Sequence, residues 1–330
     1  MTDEDVRLGL LYAPRFAGGE LELDPGAVDR VLQDGIGGPM DLDLDMAAFG
    51  LAEVVDENMA AAARAHAAEF GLDLGERDLL AVGGAAPVHA ASLGEKLGVR
   101  RIVRPTEAGV GSAVGFLLAP VAYEVVRSRH QALSGLQADL VNRLMVDMRS
   151  EALDVVQQGV AHSGGASRLD EARHAYMRYR GQGHEIPVEL PVEEYGRDHA
   201  QQFRSLFEQA YARLYGRTIE GVDIEVLSWT LTITAALPER GAGPGDPVAE
   251  RPPPAPARHQ EMFDPGLARR VDAPVYEREA LLPGDCFPGP ALITEDQTTT
   301  VITSHYDGCM DRYGYIVMTR KDHRVGADES

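Results

Sequence analysis

The chain has 330 residues, 44% of them hydrophobic, and its 52 acidic and 31 basic side chains give a net charge of −21. This acidity disfavours binding to nucleic acids or to anionic membranes, because both need clustered Lys and Arg side chains. The length allows two or three domains with cores of their own, and no apolar run approaches the ~20 residues of a membrane helix.

The cysteines and the N-terminus bear on where the protein works. Cys286 and Cys309 are the only two cysteines, too few for a disulfide framework or a four-thiolate zinc site. The acidic N-terminus lacks the apolar core of a signal peptide. We therefore expect a cytoplasmic protein with two reduced thiols.

Two helices are predicted before residue 71. Asp24 is the expected cap of a helix over residues 25–33, which opens with a proline. A long helix follows over residues 44–70, with Leu51, Val55, Met59 and Ala62 as its apolar stripe.

The most informative segment is residues 79–118. A strand at 79–82 runs through Gly83 and Gly84 into a helix that begins near Pro87 and ends at Gly98. A second strand and another glycine-punctuated turn and helix follow. This repeated pattern is typical of a nucleotide-binding α/β layer, because glycines let a ligand approach the backbone and a helix N-terminus attracts anions.

Residues 136–237 predict an α+β region after a strand at 123–129. The expected elements are a long amphipathic helix at 136–160, a hairpin of strands at 174–180 and 184–190, a helix at 197–215 and a strand at 222–236. Residues 238–257 are rich in proline and predict a linker. Residues 258–330 carry frequent turn signals and predict a β-rich C-terminal module. The expected domains are thus 1–135, 136–237, 238–257 and 258–330.

Other motifs carry weaker signals. Gly109, Gly111 and Gly115 have the wrong spacing for a dinucleotide fingerprint, so close packing between helix and strand is the simpler interpretation. A metal site formed by His174, His184 and Glu185 is set aside in favour of a solvated sheet edge. The threonines at 298–300 allow either an anion contact or an ordinary strand.

Taken together, these segments resemble the C-terminal half of the hydantoinase A / 5-oxoprolinase family, which includes hydantoinases and the larger subunits of acetone and acetophenone carboxylases. The family's GGAGPLHA motif stands here as GGAAPVHA at residues 83–90. Similar matches are DENM at 56–59, RYRGQ at 178–182, GPALI at 289–293 and TTTV at 298–301. The resemblance covers nearly the whole chain in order.

The resemblance implies an α/β fold that is the second half of an actin-like ATPase domain, followed by the α+β region and the β-rich module. It assigns Gly83, Gly84, Ala85, Ala86 and His89 to the nucleoside side of an ATP site. Ala86 stands where the family has glycine, and its methyl group would narrow the cleft or mark a site that has lost ATP. His89 would contact the nucleotide or be an ordinary buried histidine.

Family members are usually about twice this long, and their first half carries Asp-x-Gly-Gly-Thr phosphate loops, which this sequence lacks. The resemblance therefore implies a subunit of an ATP-dependent, multi-subunit ketone carboxylase, with ATP and Mg²⁺ as cofactors and the metal held by a partner subunit that has the N-terminal ATPase half. The alternatives are a hydantoinase- or oxoprolinase-type cyclic amide hydrolase subunit, and a structural subunit with a degenerate cleft.

Overall fold

The computed structural model describes residues 2–162, 168–236 and 248–321. The helices are α1 (Thr2–Arg7), α2 (Pro25–Leu32), α3 (Gly38–Met40), α4 (Leu44–Glu69), α5 (Ala86–Leu97), α6 (Gly111–Leu118), α7 (Ala138–His162) and α8 (His199–Tyr215). The strands are β1 (Asp78–Leu80), β2 (Arg101–Arg104), β3 (Ala122–Ala132), β4 (Leu169–Tyr179), β5 (Ile186–Leu190), β6 (Ile224–Ala235), β7 (Arg258–Asp264), β8 (Arg269–Glu277), β9 (Cys286–Pro288), β10 (Ala291–Thr294), β11 (Thr299–Ile302), β12 (Tyr306–Met310) and β13 (Ile316–Arg320). Within the described residues, none of the long helices has the apolar sequence that a membrane span needs.

The chain forms two compact units, residues 1–117 with 244–330, and residues 118–243. The first unit contains a five-stranded sheet in the order β1-β2-β13-β12-β9 and a four-stranded sheet in the order β11-β10-β8-β7. β1 and β2 are parallel, and β2 pairs antiparallel with β13. The C-terminal strands thus complete a sheet that begins with the glycine-turn segment.

The second unit is a four-stranded antiparallel sheet in the order β3-β6-β4-β5, with α7 and α8 contributing to its core. β6 is the longest strand and is central because its Ile, Val and Thr side chains suit a sheet buried on both faces. Phe203 and Phe207 of α8 are fully buried, as is Trp229 of β6.

This division groups the chain differently from the predicted boundaries, because β3 pairs with β6 and β13 pairs with β2. The predicted domain boundaries after residues 135, 237 and 257 therefore stay a prediction. Residues 238–247 of the predicted linker lie outside the described residues. The fold class itself is confirmed: α/β elements come first, then an α+β region, then a strand-rich segment.

The predicted helix signals are found in the structure. The Asp24 side chain accepts a hydrogen bond from the Gly26 amide at 2.9 Å and caps α2. Pro87 lies in the first turn of α5, and Gly98 follows its last residue with φ +72°, a conformation that glycine adopts without strain.

The predicted apolar stripe of α4 lies at the edge of the buried face rather than at its centre. Leu51, Val55 and Met59 are only half-buried, whereas small alanines and Asp56 are buried. The reason is close packing of α4 against α1 and α5, which favours small side chains over large ones.

The expectation of two reduced thiols is also wrong in this structure, because Cys286 and Cys309 form a disulfide. β9 and β12 pair antiparallel with the two cysteines directly opposite each other. A separation of 23 residues in sequence gives no hint of that register, since it depends on the sheet order.

Candidate functional site

The site begins at the turn between β1 and α5. Gly83 has φ +121°, and a Cβ atom there would meet nothing within 4 Å. Its amide donates a hydrogen bond to the carbonyl of Ala108 at 2.7 Å. Glycine is therefore needed at this position for its backbone conformation, and the space beside it is open.

A cavity of about 670 Å³ opens beside this turn. That volume lies within the ~300–1,000 Å³ typical of small-molecule sites. Its wall is formed by the glycine turn with α5, the β10–β11 hairpin, and the N-terminal segment with the 3₁₀ turn Ala13–Gly19. The lining residues are Thr2, Asp5, Leu11, Tyr12, Phe16, Gly18, Glu20, Gly84, Ala85, Val88, Thr294, Glu295, Asp296, Gln297, Thr298 and Thr299.

Two of the five predicted residues, Gly84 and Ala85, line the cavity. Gly83 lies in the same turn but not in the wall. Ala86 is the half-buried first residue of α5 and also lies outside the wall, so its methyl group does not narrow this cavity. Whether these residues bind a nucleotide stays a prediction.

The turn is fixed by the hairpin opposite it. The Thr298 hydroxyl donates a hydrogen bond to the carbonyl of Gly84. A Cβ atom on Gly84 would lie 3.7 Å from the carbonyl oxygen of Gln297, an ordinary contact. The predicted strand of threonines is present as β11, which begins at Thr299. Thr299 and Thr298, the residue before the strand, both line the cavity.

Gly109 and Gly111 have a packing role. A Cβ atom on Gly109 would lie 2.5 Å from Cβ of Gln297, and one on Gly111 would lie 2.4 Å from Cγ1 of Val82. Side chains do not fit at these distances, so the glycines allow close approach rather than ligand binding. The packing interpretation of this motif agrees with the geometry at Gly109 and Gly111, whereas a Cβ atom on Gly115 would meet nothing within 4 Å.

The cavity wall carries four acidic side chains. Asp5, Glu20, Glu295 and Asp296 line it, and no Lys or Arg side chain is among the described lining residues. Free phosphate groups need cations or several amide donors, so this wall alone disfavours them. The Tyr12 and Phe16 rings and the Thr298 hydroxyl suit an uncharged ring and its hydroxyl groups.

A buried arginine lies behind the acidic wall. Arg104, at the end of β2, is fully buried and forms an ion pair with Glu295. Burial is the main cause that lowers the pKa of the Arg104 guanidinium to about 10, and repulsion by the positive charge of the nearby Arg278 adds to it. The side chain is therefore still cationic near pH 7, and it fixes one carboxylate of the wall.

His89 is placed beneath the cavity rather than in it. The side chain is 4% exposed. Its Nε2 lies 3.5 Å from Oδ2 of Asp5, and its Nδ1 lies 3.2 Å from Oδ1 of Asp56. Burial alone lowers the pKa of the imidazole, but hydrogen bonds to Asp5 and Asp56 outweigh it and raise the pKa to about 10. A charged His89 therefore joins α1, α4 and α5.

Asp5 connects this ion pair to the cavity. Its carboxyl is buried and also lines the cavity wall. Desolvation raises the pKa of Asp5, although the contact with His89 opposes the change. His89 thus orients a carboxylate that a ligand would meet.

Sequence reasoning missed Asp5, Tyr12 and the acidic residues of the hairpin, because they lie far from the glycine turn in the chain. Asp56 belongs to the DENM motif at residues 56–59, and in the structure its carboxylate is the buried partner of His89. The motif was therefore the signal that could have indicated this pair. The segment with His174, His184 and Glu185 forms no cluster with metal-ligand spacing among the described residues.

Comparison with known proteins gives the family. The hydantoinase/oxoprolinase model matches residues 1–125, and the hydantoinase/oxoprolinase C-terminal domain model matches residues 152–320. The caprolactamase subunit alpha of Pseudomonas jessenii is 26% identical over 92% of this chain and 43% of its own length. The acetone carboxylase beta subunit of Xanthobacter autotrophicus is 24% identical over 94% of this chain and 44% of its own length.

The fold is also that of a solved relative. The crystal structure of ATP-dependent caprolactamase from Pseudomonas jessenii superposes with a TM-score of 0.76 at 23% identity, over 97% of this chain and 46% of that one. The chain thus spans less than half the length of the relatives that it matches. The two family models together account for most of its residues, and the chain belongs to the hydantoinase/oxoprolinase family.

Proposed function

We propose that this chain supplies the nucleoside side of an ATP site in an ATP-dependent enzyme of this family, and that a partner supplies the phosphate-binding side. The observation that carries the proposal is the acidic cavity beside the Gly84–Ala85 turn. It offers rings, hydroxyls and open backbone to a nucleoside, and no described cation to a triphosphate. A complete site then requires positive charge from elsewhere.

Exposed apolar surface also supports the proposal of a partner, in addition to the lack of positive charge in the described cavity wall. α6 contains no buried residue, and its Phe116 is 83% exposed. β1 is an edge strand of its sheet, and Leu80 at its end is 62% exposed. Exposed apolar helices and unpaired strand edges mark interaction surfaces. A partner subunit carrying the N-terminal ATPase half would cover them.

Bound ATP would supply a phosphoryl group that activates an unreactive carbonyl or enol, with Mg²⁺ held by the partner. The residues of this chain bind the nucleoside and orient it. Gly84 and Ala85 let the nucleoside approach the backbone, and Thr298 fixes the turn through the Gly84 carbonyl. His89 holds Asp5 in the wall as a carboxylate able to accept hydrogen bonds from ribose hydroxyls.

Two reactions fit such an activating subunit. Ketone carboxylation is our first choice, and the 24% identity to an acetone carboxylase beta subunit supports it. Opening of a cyclic amide is the second, and the 26% identity to a caprolactamase subunit favours it. A third role is structural, with a cleft that binds no nucleotide; the absence of Lys and Arg side chains from the described cavity wall favours it.

The nucleotide claim is tested with Gly84→Val in the assembled complex. The backbone at Gly84 does not need glycine, and a Cβ atom there makes only an ordinary contact. The variant should therefore fold, and its two methyl groups should enter the cavity and abolish retention of ATP. Nucleotide content after gel filtration measures this directly.

Gly183→Val is the matched control. Gly183 lies in the β4–β5 turn, and a Cβ atom there would meet nothing within 4 Å. The control should retain ATP like the unaltered complex. A folded Gly84→Val complex that binds ATP normally would refute the site.

The choice of reaction is tested by substrate-dependent ADP release from the complex. Release that depends on an aryl or alkyl ketone together with bicarbonate supports carboxylation. Release that depends on a lactam, hydantoin or 5-oxoproline supports amide hydrolysis. A complex in which neither class stimulates ADP release would support the structural role.

A further inference from the structure

A side-chain cluster in the five-stranded sheet has no part in the proposed ATP site. Cys286 of β9 and Cys309 of β12 lie directly opposite each other, with their Cα atoms 4.0 Å apart, and are joined as a disulfide. The Glu250 carboxylate lies beside them. One carboxylate oxygen and the two sulfur atoms all lie within 4.8 Å of one another.

Glu250 is held there by its neighbour in the chain. The Arg251 amide donates to the carbonyl of Gly284 at 2.9 Å, and the Cys286 amide donates to the carbonyl of Arg251 at 3.0 Å. The Arg251 side chain donates to Oδ1 of Asp285 at 2.7 Å, and Asp285 is buried. These three bonds fasten the segment before β7 to the start of β9, so the carboxylate is positioned by the fold.

The three side chains match the ligands of a thiophilic divalent cation. In a tetrahedral site with Zn–S bonds of about 2.3 Å, two thiolate sulfurs are about 3.8 Å apart. The three ligand atoms lie within 4.8 Å of one another, so opening the disulfide would let the two sulfur atoms reach that spacing beside the carboxylate. Both cysteines are half-buried and Glu250 is exposed, so an ion and a completing water molecule can reach the site from solvent.

We propose that the reduced chain binds one thiophilic divalent cation, such as Zn²⁺, through Cys286, Cys309 and Glu250, and that the disulfide excludes it. A dithiol reductant opens the site: the protein disulfide becomes two thiols while the reductant becomes a disulfide. On binding, each thiol loses its proton to solvent and the thiolate sulfur bonds to the metal. The same pair of cysteines therefore makes metal binding dependent on the redox state.

The test uses the full chain without an affinity tag and Co²⁺ as a coloured substitute for Zn²⁺. Protein reduced by a dithiol and then desalted should bind one Co²⁺ with a thiolate-to-metal charge-transfer band, and equimolar Zn²⁺ should abolish the band. The band distinguishes thiolate ligands from the histidines elsewhere in the chain. Protein in the disulfide form should show no such band.

Two variants and one control complete the test. Cys286→Ser should lose the charge-transfer band of the paired thiolates. Glu250→Gln, an exposed change that leaves both cysteines in place, should weaken Zn²⁺ binding by about tenfold or more, at least the cost of losing an outer-shell partner. Glu279→Gln removes another exposed acidic group and should bind like the unaltered chain.

Each outcome decides the proposal. Absence of the band in the reduced chain would overturn it, as would an unchanged band in Cys286→Ser. Equal Zn²⁺ affinity in the Glu250→Gln and Glu279→Gln variants would also overturn it, because the carboxylate would then not be a ligand. Circular dichroism confirms that each variant is folded before its result is used.

Discussion

The buried His89 ion pair gives the sharpest prediction about stability. Replacing His89 by Gln removes the positive charge and leaves the buried carboxylates of Asp5 and Asp56 without it. The pKa of His89 rises from 6.5 in the unfolded chain to about 10 in the folded one, which corresponds to about 5 kcal/mol at about 1.4 kcal/mol per pH unit. Loss of one partner of a buried ion pair typically costs about 3–5 kcal/mol. We expect the free energy of unfolding of His89→Gln to be about 3–5 kcal/mol lower than that of the unaltered chain near pH 6.5.

The dependence on pH follows from the direction of this change. Because folding raises the pKa of His89, its contribution is fully present below pH 6.5 and is lost as pH rises toward about 10. The free energy of unfolding of the unaltered chain should therefore approach that of His89→Gln by up to about 1.4 kcal/mol per pH unit. Urea unfolding of both proteins from neutral pH to about pH 9.5 measures the difference.

His66→Gln is the matched control, because the His66 side chain is 74% exposed on α4. Its effect should stay below about 0.5 kcal/mol at every pH. A difference between the unaltered chain and His89→Gln that stays constant over this pH range would refute a charged, clamped imidazole. So would a variant as stable as the unaltered chain near neutral pH.

Three further changes test core packing, helix propensity and helix capping. Gly94→Ala should destabilise the chain by about 1–3 kcal/mol, because its Cβ atom would lie 2.7 Å from Cδ1 of Ile102 in a filled core. Gly50→Ala is the control, because Gly50 is at an open and exposed helix position, and it should stabilise the chain by about 0.5–1 kcal/mol. Asp43→Ala should cost about 1 kcal/mol, because the Asp43 side chain accepts the Met46 amide at 2.8 Å and caps α4. Thermal unfolding of each variant measures these effects, and a stabilised Gly94→Ala or an unaffected Asp43→Ala would contradict the packing or the cap.

Local signals in the sequence predicted much of the fold. Pro87 and Gly98 bracket α5 because proline suits a first helical turn and glycine suits the left-handed residue after a helix. The dense Ile, Val and Thr content of β6 predicted a long strand in the same way. Such signals act within a few residues and do not depend on the rest of the chain.

Features that depend on pairing between distant segments were not predicted. Cys286 faces Cys309 only because β9 and β12 are neighbours in the sheet, and β2 reaches β13 across more than half of the chain. The α4 stripe was misplaced because helix periodicity marks large apolar residues, whereas close helix contact selected alanines and Asp56. The cavity wall likewise combines Asp5, Gly84 and Thr298, which no spacing rule connects.

The central claim is that the ATP site is shared between this chain and a partner. The most direct measurement is calorimetric titration of MgATP into this chain alone, into a partner with Asp-x-Gly-Gly-Thr loops alone, and into the two after co-expression. We predict that only the complex binds MgATP tightly and hydrolyses it, and that Gly84→Val in this chain abolishes the binding. A monomer of this chain that binds and hydrolyses ATP by itself, or a stable complex that binds none, would contradict the account.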